Sequence, residues 1–125
     1  MKAEDLMIGD WVKFNNSDLV HQIKAIAGKS VKVDKVYWYS ASKLSPISIT
    51  SEILEKNGFT YKEGEIGLCG VTTVPHYIRN DVPFALFCDG EPFAIWIFQN
   101  PTNIKYVHEL QHALRLCGIE KEIVL

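Results

Sequence analysis

The stretch AIAGKSVKV, residues 25–33, decides how the first part of the chain is built. Its centre, Gly28 and Lys29, separates two segments that favour β-structure, residues 20–27 and residues 30–38. A glycine-containing pair between two such segments is typical of a tight hairpin. In the second segment valine alternates with charged residues, as expected of a strand with one buried face. We therefore predict an antiparallel hairpin that turns at Gly28.

Further short strands are expected around this hairpin. Residues 8–14 predict a strand that is opened by a turn at Gly9 and Asp10, and residues 15–18 form a loop without an apolar side chain. Several short strands joined by close turns indicate a small, strongly bent sheet. Its layout resembles an SH3-like barrel. We expect residues 1–50 to form this β-rich part.

A short helix follows and divides the chain. Thr50 can cap it, Glu52 suits its first turn, and Gly58 can close it. An antiparallel sheet is expected next, and its clearest hairpin joins residues 84–88 to residues 93–98 through an Asp-Gly turn. Weaker strand signals cover residues 59–62, 66–72 and 75–79.

A second, amphipathic helix is predicted near the C-terminus. Thr102 or Asn103 can cap its start, and its apolar periodicity continues to residue 117. Gly118 can close it, and Ile119 can fold back on Leu114 as in a Schellman motif. The sequence thus contains a start signal and a stop signal for this helix.

The last element is expected to be a strand over residues 120–125, because this segment contains adjacent β-branched residues. The predicted fold class is therefore α+β. It comprises a small SH3-like bent sheet, a short helix, an antiparallel sheet, an amphipathic helix and a final strand. Residues 1–50 and 51–125 are expected to be two subdomains or the two parts of one joint domain.

The composition is that of an ordinary globular protein. The chain has 125 residues, of which 47% are hydrophobic and 22% charged, and its net charge is −2. The longest apolar run, residues 93–98, is too short to cross a bilayer, and no leader-like run occurs near Met1. We expect a cytoplasmic protein with no membrane partner. Three separate cysteines, each after an apolar residue, are expected to be buried, reduced thiols: Cys69, Cys88 and Cys117.

One string suggests catalytic chemistry. HELQH begins at His108, and two histidines four positions apart on a helix can bind Zn²⁺ while the intervening Glu109 activates a water molecule. A zinc peptidase needs a third protein ligand as well. In the extended motif the required glycine and third histidine would fall on Arg115 and Gly118, and neither matches.

The same string has a structural interpretation. At about 100° per residue, His108 and His112 lie together, opposite the apolar arc of the helix. We interpret His108, Glu109, Gln111, His112 and Arg115 as the solvent-facing polar side of this helix. Two alternatives stay open. One is a structural or adventitious metal bound by the two histidines, and the other is a zinc-dependent hydrolase in which His108 and His112 are ligands and Glu109 is the general base.

A basic and aromatic cluster lies on the first hairpin. Lys24, Lys29, Lys32 and Lys35 gather there, close to Trp38, Tyr37 and Tyr39. Such a mixture can contact nucleic acid through phosphate pairing and base stacking. It also fits the solvated face of a hairpin, because Asp34 interrupts the lysines. Both interpretations stay open at this point.

Residues 6–12, 46–59 and 104–122 carry a family resemblance. They resemble a family of small uncharacterised proteins from Bacteroides-type bacteria and their mobile elements. The resemblance implies a fold and no chemistry, and it implies that the zinc motif is dispensable, because members carry Gln or Asn where Glu109 or His112 stands here. We expect a non-enzymatic interaction module associated with a mobile element. Its partner would be another protein, a second copy of the chain, or nucleic acid.

Overall fold

The computed structural model describes residues 1–62, 76–83, 85–87, 94–97, 100–101 and 104–125. The chain is an α+β protein with antiparallel sheets and a helix near the C-terminus, so the predicted class is confirmed. It forms two compact units: Met1–Ile47 with Tyr106–His108, and Ser48–Lys105 with Glu109–Leu125. The division into subdomains at residue 50 stays a prediction.

The first unit is built from short strands: β1 (Trp11–Phe14), β2 (Val20–Gln22), β3 (Ala25–Ala27), β4 (Ser30–Lys32), β5 (Tyr39–Ser40) and β6 (Leu44–Ser45). They form two antiparallel sheets, in the orders β2-β1-β6 and β3-β4-β5. The predicted hairpin is confirmed, since Ala27 pairs with Ser30 across a turn in which Gly28 has φ 59°. Glycine adopts this left-handed conformation without steric cost. The two small sheets are compatible with an SH3-like layout, which stays a prediction.

The predicted Gly-Asp turn opens β1. Gly9 has φ 94°, and the fully buried Asp10 carboxylate accepts the N–H of Met7 at 2.8 Å. Buried polar groups are nearly always paired in this way. The unit is completed by 3₁₀ turns at Ala3–Asp5 and Ala41–Lys43. Its core includes Leu6, Val12, Ile23, Val31, Val33 and Leu44.

The second unit begins with the predicted short helix, α1 (Ser51–Lys56). Thr50 caps it, as predicted, because its hydroxyl oxygen accepts the N–H of Ile53 at 3.3 Å. The helix ends at Lys56, Gly58 beyond it has φ 84°, and the N–H of Phe59 returns to the carbonyl of Leu54 at 3.0 Å. This hydrogen bond is the mark of a Schellman motif.

The strands of the second unit are β7 (Thr60–Lys62), β8 (His76–Ile78), β9 (Ala85–Phe87), β10 (Ala94–Ile97) and β11 (Asn100–Pro101). They form one antiparallel sheet in the order β11-β10-β9-β8-β7. The predicted pairing of β9 with β10 is confirmed. The Asp-Gly turn between them, and the strand expected over residues 66–72, lie outside the described residues.

The C-terminal helix, α2 (Val107–Leu116), starts later than predicted. Its expected caps, Thr102 and Asn103, lie outside the described residues. The N–H of Val107 donates to the carbonyl of Ile47 at 2.8 Å, so a tertiary hydrogen bond fixes the first residue of the helix. The predicted Schellman end is confirmed: Gly118 has φ 74°, and the N–H of Ile119 donates to the carbonyl of Leu114 at 3.0 Å.

The strand predicted over residues 120–125 is wrong. Residues 119–125 form no strand in the structure. The side-chain amide of Asn57 instead hydrogen-bonds the backbone N–H and the backbone carbonyl of Val124. Ile123, at 1% exposure, enters the core of the second unit. A side chain therefore replaces the strand partner that the β-branched residues suggested.

Candidate functional site

The HELQH string lies in the first two turns of α2. His108 is buried, and Glu109 and His112 are half-buried. An oxygen of the Glu109 carboxylate accepts the backbone N–H of Lys105 at 3.0 Å. The Tyr106 ring lies nearly parallel to the His108 imidazole, at 12°, with the ring centroids 6.1 Å apart. The carboxylate predicted as a general base thus has a structural role at the start of the helix.

Two side chains assigned to the solvent-facing side of α2 are buried, and that part of the prediction is wrong. His108 is 6% exposed and Gln111 is 2% exposed. Four positions rotate a helix by about 40°, so Gln111 lies beside the apolar arc that contains Val107 and Leu114. The buried arc of the helix is therefore wider than its apolar side chains indicate.

A zinc site requires three protein ligands or more. In the part of the chain that the structure describes, no group of three His, Cys, Asp or Glu side chains is placed to hold a metal ion. His108 belongs to the first unit, whereas Glu109 and His112 belong to the second. The zinc-dependent hydrolase, with His108 and His112 as ligands, stays a prediction.

Cys117 is exposed as a free thiol, so its predicted burial is wrong. It follows the last residue of α2, where the Schellman turn at Gly118 redirects the chain. The buried arc of the helix reaches Leu114 and does not extend to this position. Cys69 and Cys88 lie outside the described residues.

The predicted basic and aromatic cluster lies on the β3-β4-β5 sheet. Val31 pairs with Tyr39, and both contact the core of the first unit. Successive strand residues point to opposite faces, so Lys32 faces outward. The register that pairs Ser30 with Ser40 places Trp38 opposite Lys32. The Nζ atom of Lys32 lies 5.1 Å from the Trp38 ring centroid, within the range of a cation–π interaction.

The structure does not place the predicted lysines alike. Lys32 contacts Trp38, whereas Lys24 and Lys29 are exposed at the two ends of β3. The backbone N–H of Lys24 donates to the carbonyl of Lys32 at 2.7 Å, which joins the ends of β3 and β4. The basic-aromatic surface is defined here by Lys32, Lys35, Val36, Tyr37 and Trp38, flanked by Lys24 and Lys29.

Asp34 shapes this surface from within. Its Oδ1 atom accepts the N–H groups of Val36 at 2.9 Å and of Tyr37 at 2.8 Å. These two hydrogen bonds hold the pKa of Asp34 below its ordinary value. Burial, and then the Asp34 carboxylate, raise the pKa of Tyr39. The acidic residue that interrupts the lysines in the sequence therefore organises the turn that presents the aromatic side chains.

Three large side chains on this turn are open to solvent. Val36 is 66% exposed, Tyr37 is 64% exposed and Trp38 is 47% exposed. Scattered apolar side chains are normal on a protein surface, but adjacent ones rimmed by charge mark interaction sites. The two hydrogen bonds to Asp34 hold the backbone of the turn that carries these side chains.

Sequence reasoning missed a second group of charged residues, in the second unit. Lys62, Arg79 and Lys121 line one cleft together with Asp81. They are far apart in the chain and belong to no motif. The only local signal is the Arg-Asn-Asp order at Arg79, which brings a carboxylate close to the guanidinium.

Comparisons with protein-family models, with curated proteins and with solved structures found no match. No helix of the described residues is long and apolar enough to cross a membrane. The functional interpretation therefore depends on the geometry of the basic-aromatic surface and of the cleft at Arg79.

Proposed function

We propose that the protein is a binding module for single-stranded nucleic acid, and that the basic-aromatic surface is its contact site. The observation that carries the proposal is the position of Trp38. Its ring is 47% exposed, lies against the Lys32 ammonium group, and follows a turn fixed by Asp34. Nucleic-acid bases stack on such rings whatever their sequence, at about 1–3 kcal/mol per base.

The charges around Trp38 support a polyanionic partner. Lys32 and Lys35 lie within the surface, and Lys24 and Lys29 flank it. Asp34 is the acidic residue among them, and its carboxylate is occupied by backbone N–H groups. Lysines pair with phosphates and release counterions, which makes binding depend on salt. The net charge of −2 means that attraction is local to this surface and does not come from the whole chain.

The shape of the sheet supports a single strand over a duplex. The outward side of β3-β4-β5 carries small residues next to Trp38, so unstacked bases can approach the backbone. The small side chains, assigned by strand register, are Ala25, Ala27, Ser30 and Ser40. A duplex hides its base faces and would leave the aromatic rings without a partner.

The proposal is tested with a fluorescent deoxythymidine oligonucleotide and with a duplex of the same length, by anisotropy at several salt concentrations. Trp38→Ala is expected to weaken single-strand binding about tenfold, the value of one lost stacking contact. Lys32→Ala is expected to reduce the slope of log K against log salt by about 0.7. Leu19→Ala, a change at a 70% exposed residue outside the surface, is the matched control and is expected to have no effect.

Two results would contradict the proposal. One is the absence of oligonucleotide binding by the unaltered protein at the lowest salt concentration. The other is binding that Trp38→Ala leaves unchanged. If an acidic peptide binds in place of the oligonucleotide and Trp38→Ala weakens it, the surface recognises protein, and the nucleic-acid proposal is wrong.

The proposal includes a cytoplasmic location and membership of the mobile-element family that the sequence resembles. The exposed free thiol of Cys117 supports the location, because thiols stay reduced in that compartment. Fractionation of cells that produce the protein tests it, and recovery in an extracytoplasmic fraction would contradict it.

A further inference from the structure

A cleft of about 390 Å³ lies in the second unit, between the end of α1 and the β7–β8 pair. Three cationic side chains line it, namely Lys62, Arg79 and Lys121, together with the carboxylate of Asp81. Gly58 and Thr60 form part of its wall. The formal charge of these side chains is +3 from the cations and −1 from Asp81, which leaves +2 for a ligand to neutralise.

Arg79 is held rigidly at the edge of this cleft. Its side chain is 7% exposed, and its Nε atom donates to Oδ1 of Asp81 at 2.5 Å. Its Nη1 atom donates to the carbonyl of Asn57 at 3.0 Å. The guanidinium carbon lies 4.9 Å from the centroid of the Phe59 ring. Asp81 and Asn57 therefore occupy the Nε and Nη1 donors and fix the plane of the guanidinium.

One donor of this guanidinium is left over. The Nη2 atom of Arg79 is buried and has no hydrogen-bond partner among the described residues. Buried donors are nearly always paired, and an unpaired one costs about 1–3 kcal/mol. An oxyanion that reaches Nη2 from the cleft would remove this cost with a charge-assisted hydrogen bond.

Lys121 brings a second cation to the same place. Its Nζ atom lies 3.6 Å from the position that a Cβ atom on Gly58 would occupy, and Cδ of Arg79 lies at the same distance. Both cationic side chains therefore lie beside Gly58. The hydrogen bond from Arg79, and to a lesser degree the charge of Lys121, hold the pKa of Asp81 below its ordinary value.

We propose that this cleft is a binding site for a phosphate dianion, either free phosphate or the phosphomonoester group of a small molecule. The +2 formal charge of the lining matches a dianion, and the side chains of Arg79 and Lys121 bring two cations to the same wall of the cleft, beside Gly58. The site is separate from the basic-aromatic surface and does not depend on the nucleic-acid proposal.

The experiment is a titration followed by amide chemical shifts and calorimetry, with inorganic phosphate and with phenyl phosphate as the two probes. We expect saturable binding and shifts centred on Gly58, Thr60 and Lys121. Tighter binding of phenyl phosphate identifies a phosphomonoester ligand, and tighter binding of inorganic phosphate identifies the free ion. Changes in chemical shift that are spread evenly over the exposed lysines would contradict a binding site in this cleft.

Variants make the test specific. Lys121→Ala and Lys62→Ala are each expected to weaken binding about tenfold, the value of a charge-assisted hydrogen bond. Lys56→Ala, at an exposed lysine of α1 outside the cleft, is the matched control. Asp81→Asn is expected to tighten binding severalfold, whereas Glu52→Gln, which changes the net charge equally, is expected to leave it unchanged. Equal effects of Lys121→Ala and Lys56→Ala would show nonspecific charge attraction and overturn the proposal.

Discussion

The side-chain amide of Asn57 makes two hydrogen bonds to Val124, which lies 67 positions further along the chain. Its Oδ1 atom accepts the Val124 N–H at 2.7 Å, and its Nδ2 atom donates to the Val124 carbonyl at 2.8 Å. Nδ2 donates as well to the carbonyl of Ile53, one turn back in α1, at 2.7 Å. One buried side chain thus connects the end of a helix to the last residues of the chain.

The change Asn57→Ala is expected to lower the free energy of unfolding by about 2–3 kcal/mol, because three hydrogen bonds of a buried amide are lost. Asn57→Asp is expected to destabilise as well, since a carboxylate cannot donate to the two carbonyls. Urea denaturation measures both. Asn16→Ala, at an exposed loop residue, is the control. An unchanged urea midpoint for Asn57→Ala would show that these three hydrogen bonds contribute nothing to stability.

The turn at Asp34 is expected to depend on pH. Its pKa is lower in the folded chain than in the unfolded chain, so its contribution to stability is present above about pH 4 and is lost as the pH falls through the folded pKa. NMR shifts of the Val36 and Tyr37 amide protons should follow this titration, with a midpoint below the ordinary value of 3.8.

Two substitutions separate the charge of Asp34 from its hydrogen bonds. Asp34→Asn retains an acceptor and should keep the turn while abolishing the titration. Asp34→Ala should disorder the turn at all pH values and change the environment of Trp38. A titration midpoint above the ordinary aspartate value in the unaltered protein would contradict the hydrogen-bonded arrangement.

Two leucines of α2 provide an internal comparison. Leu114 is 2% exposed and Leu116 is 89% exposed, although they lie two positions apart. Leu114→Ala is expected to lower the free energy of unfolding by about 2–5 kcal/mol, because it leaves a cavity. Leu116→Ala is expected to change it by less than about 0.5 kcal/mol. Thermal or urea unfolding checks both, and similar losses would mean that the helix is oriented differently.

The HELQH string is tested by metal content. Glu109 is hydrogen-bonded to the Lys105 backbone, and no group of three His, Cys, Asp or Glu side chains among the described residues is placed to hold a metal ion, so we expect less than one zinc per chain. Elemental analysis of protein purified without chelator measures this. His112→Ala is the comparison. One zinc per chain in the parent and none in His112→Ala would overturn the polar-face interpretation and show that the string binds metal.

Local interactions account for the parts of the fold that could be predicted. The turn at Gly28, the Thr50 cap and the Schellman motif at Gly118 each involve residues no more than five positions apart. Such contacts can be predicted from short stretches of sequence, because backbone conformation and neighbouring side chains decide them. The terminal strand failed as a prediction because its partner is a side chain, Asn57, far away in the chain.

The candidate sites divide in the same way. The lysines and aromatic residues of the first hairpin are close in sequence, and they were recognised as a cluster before the structure placed Lys32 against Trp38. The cleft of Arg79 and Lys121 had no such signal, because its members come from separate elements. The burial of His108 and Gln111 also depends on which segments pack on α2, and helical periodicity does not predict these segments.

By itself the sequence determined the α+β class, the first hairpin, the Thr50 cap, the C-terminal ends of both helices and the presence of a basic and aromatic segment. Only the tertiary structure decided that Asp34 organises that segment, that Asn57 holds the C-terminal residues, and that Arg79 and Lys121 meet beside Gly58. The physical reason is range: backbone propensity acts over a few residues, whereas burial and pairing of charged groups depend on segments that only the folded chain brings together.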